Sequence, residues 1–274
     1  MIRSALLSLT LLTPLPALAD NFALLIGAST YTNLEERYHL TGPANDVVLV
    51  RDYLTEAAPV PFEAGNVVVL ADGVDGAGQP TLQGIRDGFA DLTARVGPGD
   101  FVYLHFSGHG TQAPALNPET EIDGLDEMFL PIDIGPWNDT VGRVENGLVD
   151  DEIGTLIGAL RAKGATVWAV FDACHSGTVT RAAPAGGDDE VRLRKLPMEA
   201  LAVPQDAVAD AEAAATRALP DARTRPPAPL DAVEGDGGFI AFFAAQTTET
   251  TPEKRLPRGV PGRKSQGVFT FTIF

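Results

Sequence analysis

The chain has 274 residues, 45% of them apolar, and carries a formal charge of −17 from 20 basic and 37 acidic side chains. That length supports a substantial core in one large domain or two small ones, and the negative excess makes nucleic acid and anionic membranes poor partners while suiting cationic peptides and metal cations. The single cysteine excludes an internal disulfide.

Residues 1–19 read as a secretory signal peptide. Met1-Ile2-Arg3 supplies a basic start, Ala5 to Leu12 an apolar run, and Ala17-Leu18-Ala19 a small-x-small cleavage site. The apolar run is too short to span a bilayer, and no later stretch is long enough. The mature protein is expected to start at Asp20 and to be exported, periplasmic or secreted, with no membrane span after signal removal.

From there the pattern alternates. Phe22 to Ile26 is a buried strand, and Ala44 to Thr55 has helical spacing. Val67 to Leu70 is a second strand. Thr81 to Arg95 places Leu82, Ile85, Phe89 and Leu92 on one helical face and is stopped by Gly97-Pro98-Gly99. Phe101 to Phe106 is a third strand. Asp150 or Asp151 can cap a helix through Leu160, Thr166 to Phe171 is a fourth strand, and Phe239 to Ala245 a fifth. Strands alternating with helices predict an α/β fold, a mostly parallel central sheet with helices on both faces. Residues 178–237, poor in large apolar side chains, read as a long insertion or linker with a weakly hydrophobic helix within Ala200 to Leu219. Val268 to Phe274 reads as a strand cut in mid-element, so a longer natural product is expected.

Two turns carry the chemistry. His105-Phe106-Ser107-Gly108-His109-Gly110 follows the third strand, and Asp172-Ala173-Cys174-His175-Ser176-Gly177 follows the fourth. Reactive groups in parallel sheets gather at the carboxyl ends of strands, so His109 and Cys174 are expected to share a cleft. A thiol attacks well only as thiolate, and a nearby imidazole can take its proton and later return it to the leaving amine. His109 is the candidate base and His175 the rival; nucleophile and base usually come from different segments. Zinc is disfavoured: His105 and His109 on an extended strand lie about 13 Å apart, and there is no CxxC. His105 is expected to pack within its strand and His39 to lie in a loop. Asp172 can brace its turn, or line a pocket for an Arg or Lys side chain. Asp46 can be a second pocket acid, or a first-turn Asp favoured by the helix dipole.

The paired motifs resemble the caspase-like peptidases, most closely their metacaspase branch. The resemblance extends through Phe22-Ala-Leu-Leu-Ile-Gly27, Leu40 to Asp46, Asp123 to Asp133, Val149-Asp-Asp-Glu-Ile153 and Gly238 to Glu253. It implies a caspase-haemoglobinase fold over residues 20–274 and a Cys–His dyad of Cys174 and His109. It also implies an oxyanion site made by the N–H groups of Gly110 and Cys174, and cleavage after Arg or Lys through a pocket of Asp46, Ser107 and Asp172. Substrates would be proteins or peptides carrying Arg or Lys. Many metacaspases are activated by calcium, with Asp123, Asp150 and Asp151 at matching positions here, although two of these can simply start a helix. No cofactor is required for the chemistry. Arg181, Arg192, Arg194, Lys195, Arg217, Arg223 and Arg225 are candidate self-cleavage points. Two other functions remain open at the level of sequence: a non-catalytic caspase-like binding or regulatory module, and a thiol amidase or transpeptidase on the same fold.

Overall fold

The computed structural model describes residues 19–118, 121–174, 191–218, 236–245 and 249–274. Residues 1–18 of the expected signal peptide, His175, Ser176, Gly177, Arg181, Arg223 and Arg225 lie outside the described residues.

A five-stranded parallel sheet forms the centre, in the order β11-β9-β3-β1-β2. Its strands are β1 (Asn21–Gly27), β2 (Val67–Ala71), β3 (Phe101–Ser107), β9 (Thr166–Asp172) and β11 (Phe239–Phe243). The three middle strands are near-continuous apolar runs, as expected when both faces are covered. Alternate residues of β1 enter opposite layers. Phe22, Leu24 and Ile26 pack with α2 (Leu82–Arg95) and α3 (Asp150–Arg161). Ala23 and Leu25 pack with α1 (Pro43–Asp52) and the terminal α5 (Val268–Ile273). Helices therefore cover both faces.

Ile85, Phe89 and Leu92 form the α2 stripe and are fully buried, each worth about 1.5–3 kcal/mol relative to exposure. Thr81 caps the helix by accepting from Gly84 N at 3.0 Å. Above the sheet lie three small antiparallel units. One joins β4 (Gly110–Pro114), β5 (Leu125–Phe129) and β8 (Leu148–Val149). A hairpin joins β6 (Trp137–Asn138) to β7 (Arg143–Val144). The third joins β10 (Arg192–Leu193), β12 (Pro252–Leu256) and β13 (Lys264–Gly267).

Three local expectations change. Val268–Ile273 is a helix rather than a strand: Gly267 holds its N-cap position, and Phe269 and Phe274 both pack against the core on that face of the sheet. Neither Asp150 nor Asp151 caps α3. Val149 holds the cap position, and both carboxylates sit in the first turn, where the helix dipole favours them. The helix sought within 200–219 is α4 (Gln205–Ala218), which buries only Ala211 and Ala215, and so small a stripe left its start indistinct. Within the stretch read as a linker, residues 191–218 are packed structure, with Arg194, Leu196 and Leu201 fully buried.

Candidate active site

Register explains why the two motifs meet. β3 pairs with β9 so that Ser107 stands opposite Asp172, and both strands end at that level. The turns to His109 and to Cys174 therefore leave the sheet side by side, at its carboxyl edge.

His109 is buried. Its Nε2 lies 2.8 Å from the Tyr38 carbonyl oxygen, an acceptor, so that nitrogen carries the proton and Nδ1 is the free base. Nδ1 is buried without a hydrogen-bond partner. The His109 backbone N–H donates to the Tyr31 hydroxyl at 2.8 Å, which in turn donates to the Ala28 carbonyl at 3.0 Å. The two rings pack at 5.3 Å. Burial holds the imidazole down at about 4, so it is neutral at pH 7. Burial likewise pushes the Cys174 thiol up, and the Thr251 N–H directed at Sγ pulls the other way.

The space between the turns is filled by the chain itself. Arg194 presents its carbonyl oxygen to two backbone donors, the N–H groups of Gly110 and Cys174, each at 3.1 Å. Its own N–H donates to the Thr251 carbonyl at 2.9 Å, and Leu196 N–H donates to the Gly110 carbonyl at 3.0 Å. Residues 192–196 thus run as an extended strand between β12 and the start of β4.

The Arg194 side chain enters a closed acidic pocket. Nη2 donates to Asp46 Oδ2 at 2.6 Å and lies 3.5 Å from Glu253 Oε2. Nη1 donates to Ser107 Oγ at 2.9 Å and to the Asp172 carbonyl at 3.1 Å, and lies 3.2 Å from Asp172 Oδ1. The carboxylates are themselves held. Asp46 accepts from Ser107 Oγ at 2.7 Å and Gly267 N at 3.0 Å. Asp172 accepts from Thr270 N and Oγ1 at 2.9 and 2.6 Å, and Glu253 from Thr41 N and Gly42 N, each at 3.0 Å.

Burial disfavours the Arg194 charge, but Asp172, Asp46 and Glu253 together outweigh it and raise its pKa. Burial lifts Asp46 to about 6 against the pull of Arg194, leaving it ionised at pH 7. Glycines shape the walls. A Cβ on Gly42 would stand 2.6 Å from both Arg194 Nη2 and Glu253 Oε2; one on Gly267 would stand 2.1 Å from Asp172 Oδ2 and 2.5 Å from Arg194 Nη1.

The sequence-derived residues thus fall into two groups. Gly110 and Cys174 direct their backbone N–H groups at one carbonyl, with His109 next to Gly110 in the same turn, and Asp46, Ser107 and Asp172 surround one guanidinium. His105 is buried within its strand, between the Tyr103 hydroxyl and Thr270 Oγ1, each at 3.3 Å. His39 lies in a loop. Asp123, Asp150 and Asp151 lie apart from the cleft, around β5 and the first turn of α3. Asp123 accepts from Leu125 N at 3.1 Å. Burial and then the charges of Asp150, Asp126 and Asp151 lift Glu121 to about 7, while burial and the charges of Asp150 and Asp151 lift Asp126 to about 6. Burial, Asp150 and Asp123 lift Glu127 to about 7. The donor chemistry suits calcium, but among the described residues no three side chains converge as metal ligands.

Sequence reasoning missed Glu253, Tyr38, Tyr31 and Thr270. Glu253 lies 207 positions from Asp46 and no spacing links them. Tyr38 contributes a backbone carbonyl, which leaves no side-chain signature.

A family model for the metacaspase peptidase C14 domain matches residues 22–183. Metacaspase-1A of Aspergillus oryzae is 34% identical over 157 residues, 57% of this chain and 34% of that protein. Metacaspase-4 of Arabidopsis thaliana is 33% identical over 138 residues, 50% of this chain and 30% of that protein. The alignments span about a third of the length of these curated relatives. Among solved structures, protein GSU0716 from Geobacter sulfurreducens matches with a TM-score of 0.58 at 21% identity, covering 93% of this chain and 80% of that one. At that identity the likeness concerns the fold alone, which is the caspase-like arrangement of a parallel sheet between helices. With the family model spanning both turns, the chain belongs to the metacaspase family of C14 peptidases.

Proposed function

We propose that the protein is a cysteine endopeptidase that cuts after Arg or Lys, with Cys174 as nucleophile and His109 as base. The observation that carries this reading is the Arg194 guanidinium, enclosed by Asp46, Asp172 and Glu253 while its carbonyl lies against Cys174 N and Gly110 N.

Nδ1 of His109 takes the thiol proton, and the thiolate adds to the carbonyl carbon of the residue in the pocket. The oxygen gathers negative charge and is held by the Gly110 and Cys174 N–H groups. The C–N bond breaks, and the amine leaves with the proton from His109. Water, deprotonated by the same imidazole, then hydrolyses the thioester and restores the thiol. The Tyr38 carbonyl keeps the ring oriented through this cycle, because it accepts from Nε2 in both protonation states. The acidic pocket binds a long cationic side chain and rejects Asp by like-charge repulsion.

A panel of fluorogenic peptides with Arg, Lys or Asp at the cleaved position tests the reading, with Cys174→Ala as control. Turnover of the Arg and Lys peptides is expected; preference for Asp, or equal turnover by Cys174→Ala, sinks it.

Two further elements belong to the same proposal. The leader in residues 1–19 directs export, so amino-terminal sequencing of the protein from its host should begin at Asp20. Calcium acts as an activator at the carboxylates around Asp123, Asp150 and Asp151, by relieving their repulsion. No chemical step passes through it. Among the described residues no helix is long and apolar enough to cross a membrane.

A further inference from the structure

One buried imidazole takes no part in the chemistry. His105 is fully buried, and an apolar side chain there would fill the same space without the cost of desolvating a polar ring. Tyr103, His105 and Ser107 point to one face of β3, because side chains alternate along a strand. Ser107 meets the guanidinium directly. The two residues behind it reach the pocket through α5. His105 Nε2 lies 3.3 Å from Thr270 Oγ1, which donates to Asp172 Oδ2 at 2.6 Å, and the Thr270 N–H donates to the same oxygen at 2.9 Å. On the other side of the ring, Nδ1 lies 3.3 Å from the Tyr103 hydroxyl.

The last member fixes the direction of this chain. An ionised carboxylate only accepts, so the Thr270 hydroxyl gives its one proton to Asp172 and offers His105 only lone pairs. Nε2 therefore carries the imidazole proton, and Nδ1 accepts from the Tyr103 O–H. Burial holds the imidazole down at about 4, so it is neutral at pH 7 and keeps one donor and one acceptor. Each bond then runs towards Asp172. The other Asp172 oxygen, Oδ1, has no hydrogen-bond partner among the described residues and lies 3.2 Å from Arg194 Nη1. One oxygen is tied to the scaffold and the other is turned to the cation.

We propose that His105 is a positioning residue for substrate binding: acting through Thr270, it locks the Asp172 carboxylate in the orientation that receives an Arg or Lys side chain. This rests on the peptidase reading above. His105 touches neither the substrate nor the reacting carbonyl. In a buried, low-dielectric chain the hydrogen bonds polarise one another. Loss of the His105 donor therefore weakens the Thr270–Asp172 bond and lets the carboxylate turn away from the cation. The consequence falls on the binding of the cationic side chain, and the thiol and its base are left as they were.

The test uses the full chain in the Arg-peptide assay, with melting temperatures to report folding. His105→Gln and His105→Asn are both polar, but only the longer amide reaches the Nε2 position and can donate to Thr270. The Asn variant should raise KM about fivefold and the Gln variant less than about twofold, with kcat within about twofold in both. Thr270→Val keeps the branched shape and the backbone N–H, and should raise KM about tenfold, while Thr270→Ser restores it. Adding His105→Asn to Thr270→Val should raise KM no further, because the histidine acts only through that hydroxyl. If the Asn variant does not fold, Thr270→Ser against Thr270→Val carries the comparison. Nitrogen-labelled histidine spectra should show His105 protonated at Nε2, with that signal moved by Thr270→Val. Equal KM for the Asn and Gln variants, equal KM for Thr270→Ser and Thr270→Val, multiplying effects in the double variant, or a His105 protonated at Nδ1 overturns the inference and leaves the peptidase reading standing. A wild type that turns over no Arg or Lys peptide overturns both.

Discussion

Arg194 Nη2 stands 2.6 Å from Asp46 Oδ2, with neither side chain exposed, across 148 positions of sequence. A buried pair of this kind is sustained only if its remaining polar atoms are satisfied. Here Asp46 has two further donors and the guanidinium's two terminal nitrogens have Ser107, Asp172 and Glu253 around them, while Arg194 Nε is left without a hydrogen-bond partner. The pocket sets three carboxyl groups around one guanidinium, an imbalance that suits a cationic side chain.

That imbalance predicts how the pocket fails. Asp46→Asn removes the carboxylate in shortest contact with the guanidinium and keeps the shape. The kcat/KM for an Arg peptide should fall by about 10²–10³-fold, corresponding to the few kcal/mol lost when a buried charge pair is broken. Most of the loss should appear in KM, because the carboxylate touches the side chain rather than the reacting carbonyl. A loss confined to kcat would place Asp46 in the chemistry instead.

Gly42 tests the shape of the same pocket. An added methyl would collide with Glu253 Oε2, which faces either cation, and with Nη2, the branch that lysine lacks. Gly42→Ala should therefore lower turnover of Arg peptides more than of Lys peptides, shifting the Arg:Lys ratio of kcat/KM by about tenfold, a difference of about 1.4 kcal/mol. Parallel loss on both peptides would mean that the clash displaces Glu253 rather than discriminating through Nη2.

How much of this could be read from sequence follows the range of each contact. The sheet was legible because its strands are short apolar runs, and α2 because Leu82, Ile85, Phe89 and Leu92 repeat at helical spacing. His109 and Cys174 were legible because each sits in a glycine-bearing turn after such a run. Glu253 was not, since it lies on a short, polar antiparallel strand whose pattern resembles a loop. Val268 to Phe274 was misread because alternating Phe and Thr satisfies the two-residue period, while the docking of Phe269 and Phe274 on the sheet overrides that local preference. Arg194 stood among seven basic candidates; only the tertiary position of the loops singles it out.

Tyr31 positions His109 without touching substrate. Tyr31→Phe leaves the ring but removes the acceptor of the His109 N–H, so a buried donor loses its partner. That costs about 1–3 kcal/mol. The melting temperature should drop by about 2–12 °C, taking about 2–4 °C per kcal/mol for a domain of this size. Because the His109 turn loosens, kcat should fall while KM for Arg peptides stays within about twofold. A change in KM alone would argue that Tyr31 shapes the pocket rather than the base.

The acidic cluster makes a pH prediction with a definite sign. Glu127 is held at about 7, above its ordinary 4.5, so the folded protein binds more protons than the unfolded chain between those values. Stability from this group is therefore fully present below about 4.5 and is lost as pH rises through 7. His105 and His109, both held down at about 4, work the other way, and their contribution is lost as pH falls from 6.5 towards 4. The two trends oppose each other in the wild type, which is why a variant is needed to separate them. Glu127→Gln should match the wild type near pH 4 and melt about 1–3 °C higher at pH 8, a modest gain because the group is partly solvated. Calcium should raise the wild-type melting temperature more at pH 8 than at pH 5, since only the ionised cluster attracts it, and should raise that of Asp150→Asn less. An equal calcium effect in Asp150→Asn and wild type would overturn the proposal of a calcium site at these carboxylates. A Glu127→Gln protein that melts lower than wild type at pH 8 would mean that the Glu127–Gln112 hydrogen bond, at 3.1 Å, outweighs the repulsion from Asp150 and Asp123.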